Sequence, residues 1–423
     1  MTADLTASPA LPSQGAPAVL PAGRVLHPDG YTVAAGTAAW AAAATPDNTA
    51  RGRASRMAGF VAWCRDRGRL HRDPGTLADY AAWLADQRHP AETIGIYTST
   101  IAERLADSGV LVPPSERDMV ERIIAARARQ EARDPDGQGD VLQATECTRE
   151  DLAAMLAVHD PDTLEGLRNR FALDWYMAGR ASEPASLNLR DLATETLTAV
   201  DPDTGEVLEL HALVITLRLS KTNPYGRTTE TVRIAAQDDE TCPVALYHAW
   251  IAELDQNGAT AGPLLRRVKD GRLTTAGRPP KDPARAGGIS DRTIRNLIAD
   301  SARAAGLTRA LDPEERAAMS TAAERAELAA VVLTDEGREA VRARRRLARR
   351  ALRRGVRRYS GHSMRRGKVR ADQRAGAPRH VIERQNRYAP GSRALARYLD
   401  DLVAWDENPT VPARFRRTLA ART

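Results

Sequence analysis

Four groups of residues carry side chains suited to phosphoryl chemistry. Arg180 follows Gly179 and precedes Ser182-Glu183-Pro184. Ser182 fits a helix N-cap with proline near the first turn. A guanidinium beside a helix N-terminus binds anions, because its fork of donors and the helix dipole act together. Lys221 ends a predicted strand and leads into the turn Asn223-Pro-Tyr-Gly226. On such a hairpin an ammonium can donate a proton or hold phosphate as a point charge. His362 and Arg365 lie in Gly361-His-Ser-Met-Arg-Arg-Gly367, where i, i+3 spacing puts both on one helix face. A proton-exchanging imidazole beside a fixed cation suits a pentavalent phosphorus. Tyr398 lies on a stripe of Leu395, Leu399 and Leu402; a phenol becomes a nucleophile when nearby cations lower its pKa from about 10. Taken singly, each has an ordinary explanation: a surface arginine, a solvated turn lysine, a chance H-x-x-R, a core tyrosine.

The elements that would position these residues follow from hydrophobic periodicity. Residues 1–40 are rich in Ala and Pro and are expected to form a flexible tail. Helical stripes recur at Met57, Phe60, Val61 and Cys64, at Leu77, Tyr80, Ala81 and Leu84, and at Ile94, Tyr97, Ile101 and Leu105. A fourth begins at Met119, Ile123 and Ile124, with Ser115 as its expected N-cap. Residues 45–133 therefore read as a four-helix domain, and the polar stretch 134–147 as a linker. The second domain, 148–405, opens on a Thr148-x-x-Asp151 capping box. Leu164, Leu167, Phe171, Trp175 and Ala178 mark a buried helix ending at Gly179. Alternation at 215–219 and 232–234, with turns at 201–205 and 223–226, predicts about three antiparallel strands. Helices follow, including an Arg-rich insertion over about 308–354, and 406–423 reads as a C-terminal tail. The expected fold is mainly α: a helical N-terminal domain, then a mixed α+β domain with a small antiparallel sheet.

Composition narrows the partner. The 423 residues carry 62 Lys+Arg against 55 Asp+Glu, a net charge of +7, and only four of the basic residues are lysines. Residues 341–370 hold thirteen Arg, one Lys and no acid, so this one stretch is +14 and the rest of the chain is −7. A polyanion is the natural partner, and the stretch is expected to grip phosphates. Aromatics are only 4%, too few for the stacking platforms of single-strand or RNA binders, so duplex DNA is favoured. Three dispersed cysteines and eight dispersed histidines predict no disulfide scaffold and no metal site, with a reducing cytoplasm as the default. No apolar run approaches the roughly 18 residues of a membrane span, and no signal peptide is read.

The order and spacing of these groups resemble the tyrosine recombinases, the phage integrase family. Gly179-Arg180-Ala-Ser-Glu183 matches that family's G-x-R-x-x-E patch, and Ser220-Lys221-Thr222 its β-hairpin lysine. His362 to Arg365 matches its H-x-x-R box, and Tyr359-Ser-Gly-His-Ser363 looks like the Cre-like form of that box. Tyr398, 36 residues after His362, falls where the family has its nucleophile. Tyr388 stands where the family usually has His or Trp, and the 308–354 segment is longer than usual. The resemblance covers roughly residues 45–405. It implies site-specific breakage and rejoining of duplex DNA through a 3′-phosphotyrosine, with neither metal nor ATP. In that reading Tyr398 attacks, while Arg180 and Arg365 hold the phosphate and favour the phenolate. Lys221 protonates the leaving oxygen, His362 exchanges a proton, Tyr388 assists, and Glu183 orients the site through His362 or Arg180. A nucleoid-associated homotetramer on paired sites is implied, with room for an accessory DNA-bending or excision factor. The other readings are a type IB topoisomerase and a non-catalytic DNA-binding protein on the same fold.

Overall fold

The structure is a computed structural model. It describes residues 24–26, 32–45, 47–134, 144–174, 179–218, 223, 226–277, 283–330, 334–399 and 412–413. The chain folds as two compact units, 1–140 with 335–343, and 141–334 with 344–423. No described helix is long and apolar enough to cross a membrane.

Within the expected tail, β1 (Arg24–Leu26) pairs antiparallel with β2 (Thr32–Ala34), and α1 (Ala35–Ala43) follows. Valines at 25 and 33 pair in register, as β-branched residues favour, and the Ala-rich run continues as helix. The helical unit proper comprises α2 (Asp47–Asp66), α3 (Thr76–Asp86), α4 (Ala91–Ala106) and α5 (Pro114–Arg133). Phe60, Trp63 and Tyr80 form its aromatic centre, with both other rings 5.1 Å from Tyr80. Trp63 and Val120 face inward, while Val61 and Met119, expected in the stripes, are exposed. Ser115 is not the cap of α5, which begins one residue earlier because proline suits a helical first turn. Glu116 instead accepts from the amides of Leu77 (2.9 Å) and Ala78 (3.2 Å), satisfying the orphan donors of α3.

The second unit is mainly helical with a small antiparallel sheet, as expected, and a further short strand pair. Its α6 (Arg149–Ala157) opens on the predicted Thr148–Asp151 capping box, and α7 (Leu164–Leu173) and α8 (Ser182–Ser186) follow. Trp175 and Ala178 of the predicted helix lie outside the described residues. The sheet is β3 (Leu192–Val200), β4 (Val207–Leu217) and β5 (Glu230–Ala235), antiparallel in chain order. After α9 (Pro243–Gln256), the short pair β6 (Val268–Lys269) and β7 (Arg272–Leu273) precedes α10 (Asp291–Ala304). Trp250, Phe171 and Leu213 lie fully buried at the centre, where alternate residues of β4 point inward.

The Arg-rich insertion forms α11 (Pro313–Met319), α12 (Thr321–Ala330) and α13 (Asp335–Gly355). In the second unit, Glu327 pairs with Arg344 and Arg345, and Glu324 with Arg349. Arg345 and Arg349 also donate to the carbonyls of Ala317 and Ala318 at the end of α11 (3.0 Å each). This part of the +14 stretch is therefore largely offset inside its own insertion. The first turns of α13 belong to the other unit. There Glu339 accepts from Trp83 Nε1 (2.8 Å), Gln87 Nε2 (3.0 Å) and Arg67 (2.6 Å).

The chain ends in α14 (Gly361–Arg374), α15 (Arg379–Gln385) and α16 (Arg393–Ala396). Residues 144–148 cross α14 so closely that a Cβ on Gly367 would overlap the Cys147 carbonyl. Cys147 N also donates to Ser363 O (3.2 Å), and the Tyr359 hydroxyl donates to Asp151 of α6 (2.9 Å). Gly367→Ala is accordingly expected to lower stability by about 3 kcal/mol, as overpacking against backbone does. A thermal midpoint within a degree of wild type would contradict that close approach.

Candidate active site

The H-x-x-R pair sits on the first two turns of α14. The Ser360 amide donates to Ser363 Oγ (3.0 Å), which starts the helix where His362 becomes exposed and Arg365 turns inward. Arg365 is 6% exposed. Its Nε donates to Tyr388 Oη (2.5 Å), its Nη2 donates to Asn386 O (2.6 Å), and it stacks 4.2 Å from the Tyr388 ring centroid. Two of its five N–H donors are thereby used, and three remain for a ligand.

Tyr398 follows α16, which stops at Ala396 rather than running to Leu402; residues 400–411 lie outside the described residues. The tyrosine is held by a small core of Val369, Ile382 and Leu395, against which Tyr388, Tyr398 and Leu399 pack. Its hydroxyl lies 2.8 Å from His362 Nδ1, and its ring meets Tyr388 edge-on at 6.4 Å. His362 and Tyr398 open onto a cleft of 570 Å3 that Ser360, Arg358 and Arg397 also line.

Burial outweighs the arginines, which pull the pKa of this phenol down as expected. Burial raises the Tyr398 pKa, Tyr388 adds to that, and Arg365, Arg180 and Arg366 lower it without overcoming the desolvation. The three cations do not overcome burial, so the neutral phenol is favoured. His362 Nδ1 is within reach of its proton.

Arg180 is organised by Glu183 three residues on. Glu183 is 3% exposed; it accepts from the Arg180 amide (2.8 Å) and from Arg180 Nη1 (3.1 Å). It also accepts from Arg387 Nη2 (2.6 Å), a partner 204 residues away that the sequence reading missed. Burial alone would raise its pKa. Arg387, through charge and hydrogen bond, and then Arg180 reverse this and hold the carboxyl below the usual range. Gly179 permits the arrangement, since a Cβ there would collide with both Glu183 and Arg387. Arg387 adopts a left-handed φ of 55°, uncommon outside glycine, and Nη1 lies 3.6 Å from Glu230. No local pattern marks Arg387 in the sequence.

His362, Arg365, Tyr388 and Tyr398 thus form one chain of contacts, and the charge of Arg180 acts on the Tyr398 phenol. Lys221 lies outside the described residues, between β4 and β5. Asn223 accepts from the Arg227 amide (3.0 Å) and donates to the Arg218 and Thr228 carbonyls.

Comparison with solved structures finds likenesses in fold. A solved structure described as "Crystal structure of a lambda integrase dimer bound to a COC' core site" aligns with 84% of this chain and 73% of its own, at 12% identity and a TM-score of 0.42. The chain matches no protein-family profile and no curated protein.

Proposed function

We propose that the chain is a site-specific DNA recombinase that cleaves and rejoins duplex DNA through a 3′-phosphotyrosine. The observation that carries this reading is the 2.8 Å contact between His362 Nδ1 and the Tyr398 hydroxyl, on a phenol whose pKa the charges of Arg365 and Arg180 pull down. Tyr398 Oη attacks phosphorus as His362 takes its proton. The remaining N–H groups of Arg365, and those Arg180 does not give to Glu183, hold the nonbridging oxygens as charge builds on them. Tyr388 accepts from Arg365, which leaves its own hydroxyl proton free to donate to phosphate. Glu183 orients Arg180, and Lys221 protonates the departing 5′-oxygen. The phosphotyrosine conserves the energy of the broken bond, so rejoining needs neither metal nor ATP. The assembly is a homotetramer on two duplex sites in the cytoplasm.

The test is a nicked duplex carrying the cognate site, which should trap a covalent adduct that survives denaturation. Failure on every cognate site would leave only a DNA-binding role. Lys221→Ala is expected to slow cleavage about 100-fold or more on a normal 5′-oxygen, as loss of a general acid does. It should have little effect on a 5′-thiol leaving group, which needs no proton. Equal slowing on both would remove the general-acid role.

A further inference from the structure

The proposed chemistry engages one phosphodiester, yet the cleft contains cations that this phosphate does not explain. Most of the +14 stretch is committed elsewhere. Arg344, Arg345 and Arg349 pair with Glu327 and Glu324, Arg357 with Asp151, and Arg370 with Glu146. Arg366 donates to the Ala144 carbonyl, and Arg346 and Arg350 are also engaged.

Arg353 and Arg358 differ from these. Both are exposed and both line the Tyr398 cleft. They also line a second cavity of 310 Å3, floored by Leu311, Met319 and Leu352, and the buried Val356 forms the wall between the two. No acidic residue lines either cavity among the described residues. Desolvation, and then the charge of Arg353, hold the Arg358 pKa below the usual arginine range. Two guanidinium groups share one wall that, among the described residues, carries no carboxylate.

The insertion explains their position. Arg345, Arg349 and Arg353 are spaced i, i+4, i+8 on α13 and form one stripe. The first two bind Glu327 and Glu324, which fix the helix against α12. The third lies beyond those acids, at the cleft.

We propose that Arg353 and Arg358 form a second phosphate site of the cleft, taking a phosphodiester of the bound strand beside the one that Tyr398 attacks. The insertion serves to present Arg353 there. Fork-shaped donors with no competing carboxylate suit a phosphodiester oxygen pair. This inference rests on the proposed DNA-cleaving function for the identity of its ligand.

The experiment measures binding of the full chain to a mixed-sequence DNA duplex as a function of salt. In R353Q/R358Q the slope of log K against log salt should shallow by about one, the loss of one phosphate contact. Affinity in moderate salt should fall about tenfold. The thermal midpoint should hold or rise, because a repulsive pair is relieved. R344Q removes the same kind of charge, but from a side chain paired with Glu327, and should keep the wild-type slope. A wild-type slope in R353Q/R358Q overturns the site, as does an equal loss in R344Q. Adduct formation is read separately. A wild type that binds DNA without ever forming the adduct defeats the catalytic reading and leaves the phosphate site standing. A double variant that forms adduct with an unchanged slope defeats the phosphate site alone.

Discussion

Tyr398→Phe should form no covalent adduct with nicked DNA while binding the same duplex as wild type does. The expected loss in cleavage is of order 10^4-fold or more, as for removal of a nucleophile whose partners all remain. The phenylalanine keeps the ring against Tyr388 and the small core of Val369, Ile382 and Leu395, and loses only the oxygen that meets His362. Stability should therefore change by no more than about 1 kcal/mol, the net worth of one exposed hydrogen bond. This separates a chemical defect from a folding defect. An adduct of undiminished yield would place the nucleophile on another residue. An unfolded variant would show that the tyrosine is chiefly structural.

Glu183→Gln should combine the largest stability loss with a severe catalytic one. The carboxylate is buried between Arg180 and Arg387, and its removal leaves two guanidinium groups without their shared counter-ion. Breaking a buried pair in this way costs about 3–5 kcal/mol. The effect carries a sign in pH. The carboxyl pKa lies below its unfolded value, so its stabilisation is complete above about pH 5 and is lost as pH falls through the folded value. The gap between wild type and E183Q should narrow in acid. Cleavage should fall about 100-fold, because Arg180 takes its orientation from Glu183. A pH-independent difference under about 1 kcal/mol would contradict the ion-pair account.

Tyr388 and Arg387 show how far local sequence reaches. The position of Tyr388, ten residues before Tyr398, marked it as a phosphate donor in place of an expected His or Trp. That reading did not contain the hydrogen bond from Arg365, which leaves the Tyr388 hydroxyl as a donor. Arg387 next to it has no sequence signature. Its importance comes from a carboxylate 204 residues away and from a backbone φ that only the surrounding packing can hold. Val61 and Met119 mark the limit of periodicity. A helical stripe is wider than the contact it serves, so its edge residues point to solvent.

By itself the sequence determined what depends on near neighbours. The Thr148–Asp151 cap, the presence of about three antiparallel strands, the i, i+3 placement of His362 and Arg365, and the i, i+3 spacing of Arg180 and Glu183 all follow from helix and strand geometry over a few residues. Only the tertiary structure decided which distant groups share an environment. It brought Tyr398 onto His362, set burial above three cations in raising the phenol's pKa, and gave Glu183 a second arginine. It also divided a uniform-looking run of thirteen arginines, separating those answered by acids from the two that face the cleft. Charge along a chain is additive and readable, but desolvation and counter-ions depend on what the fold places alongside, and that is not a local property.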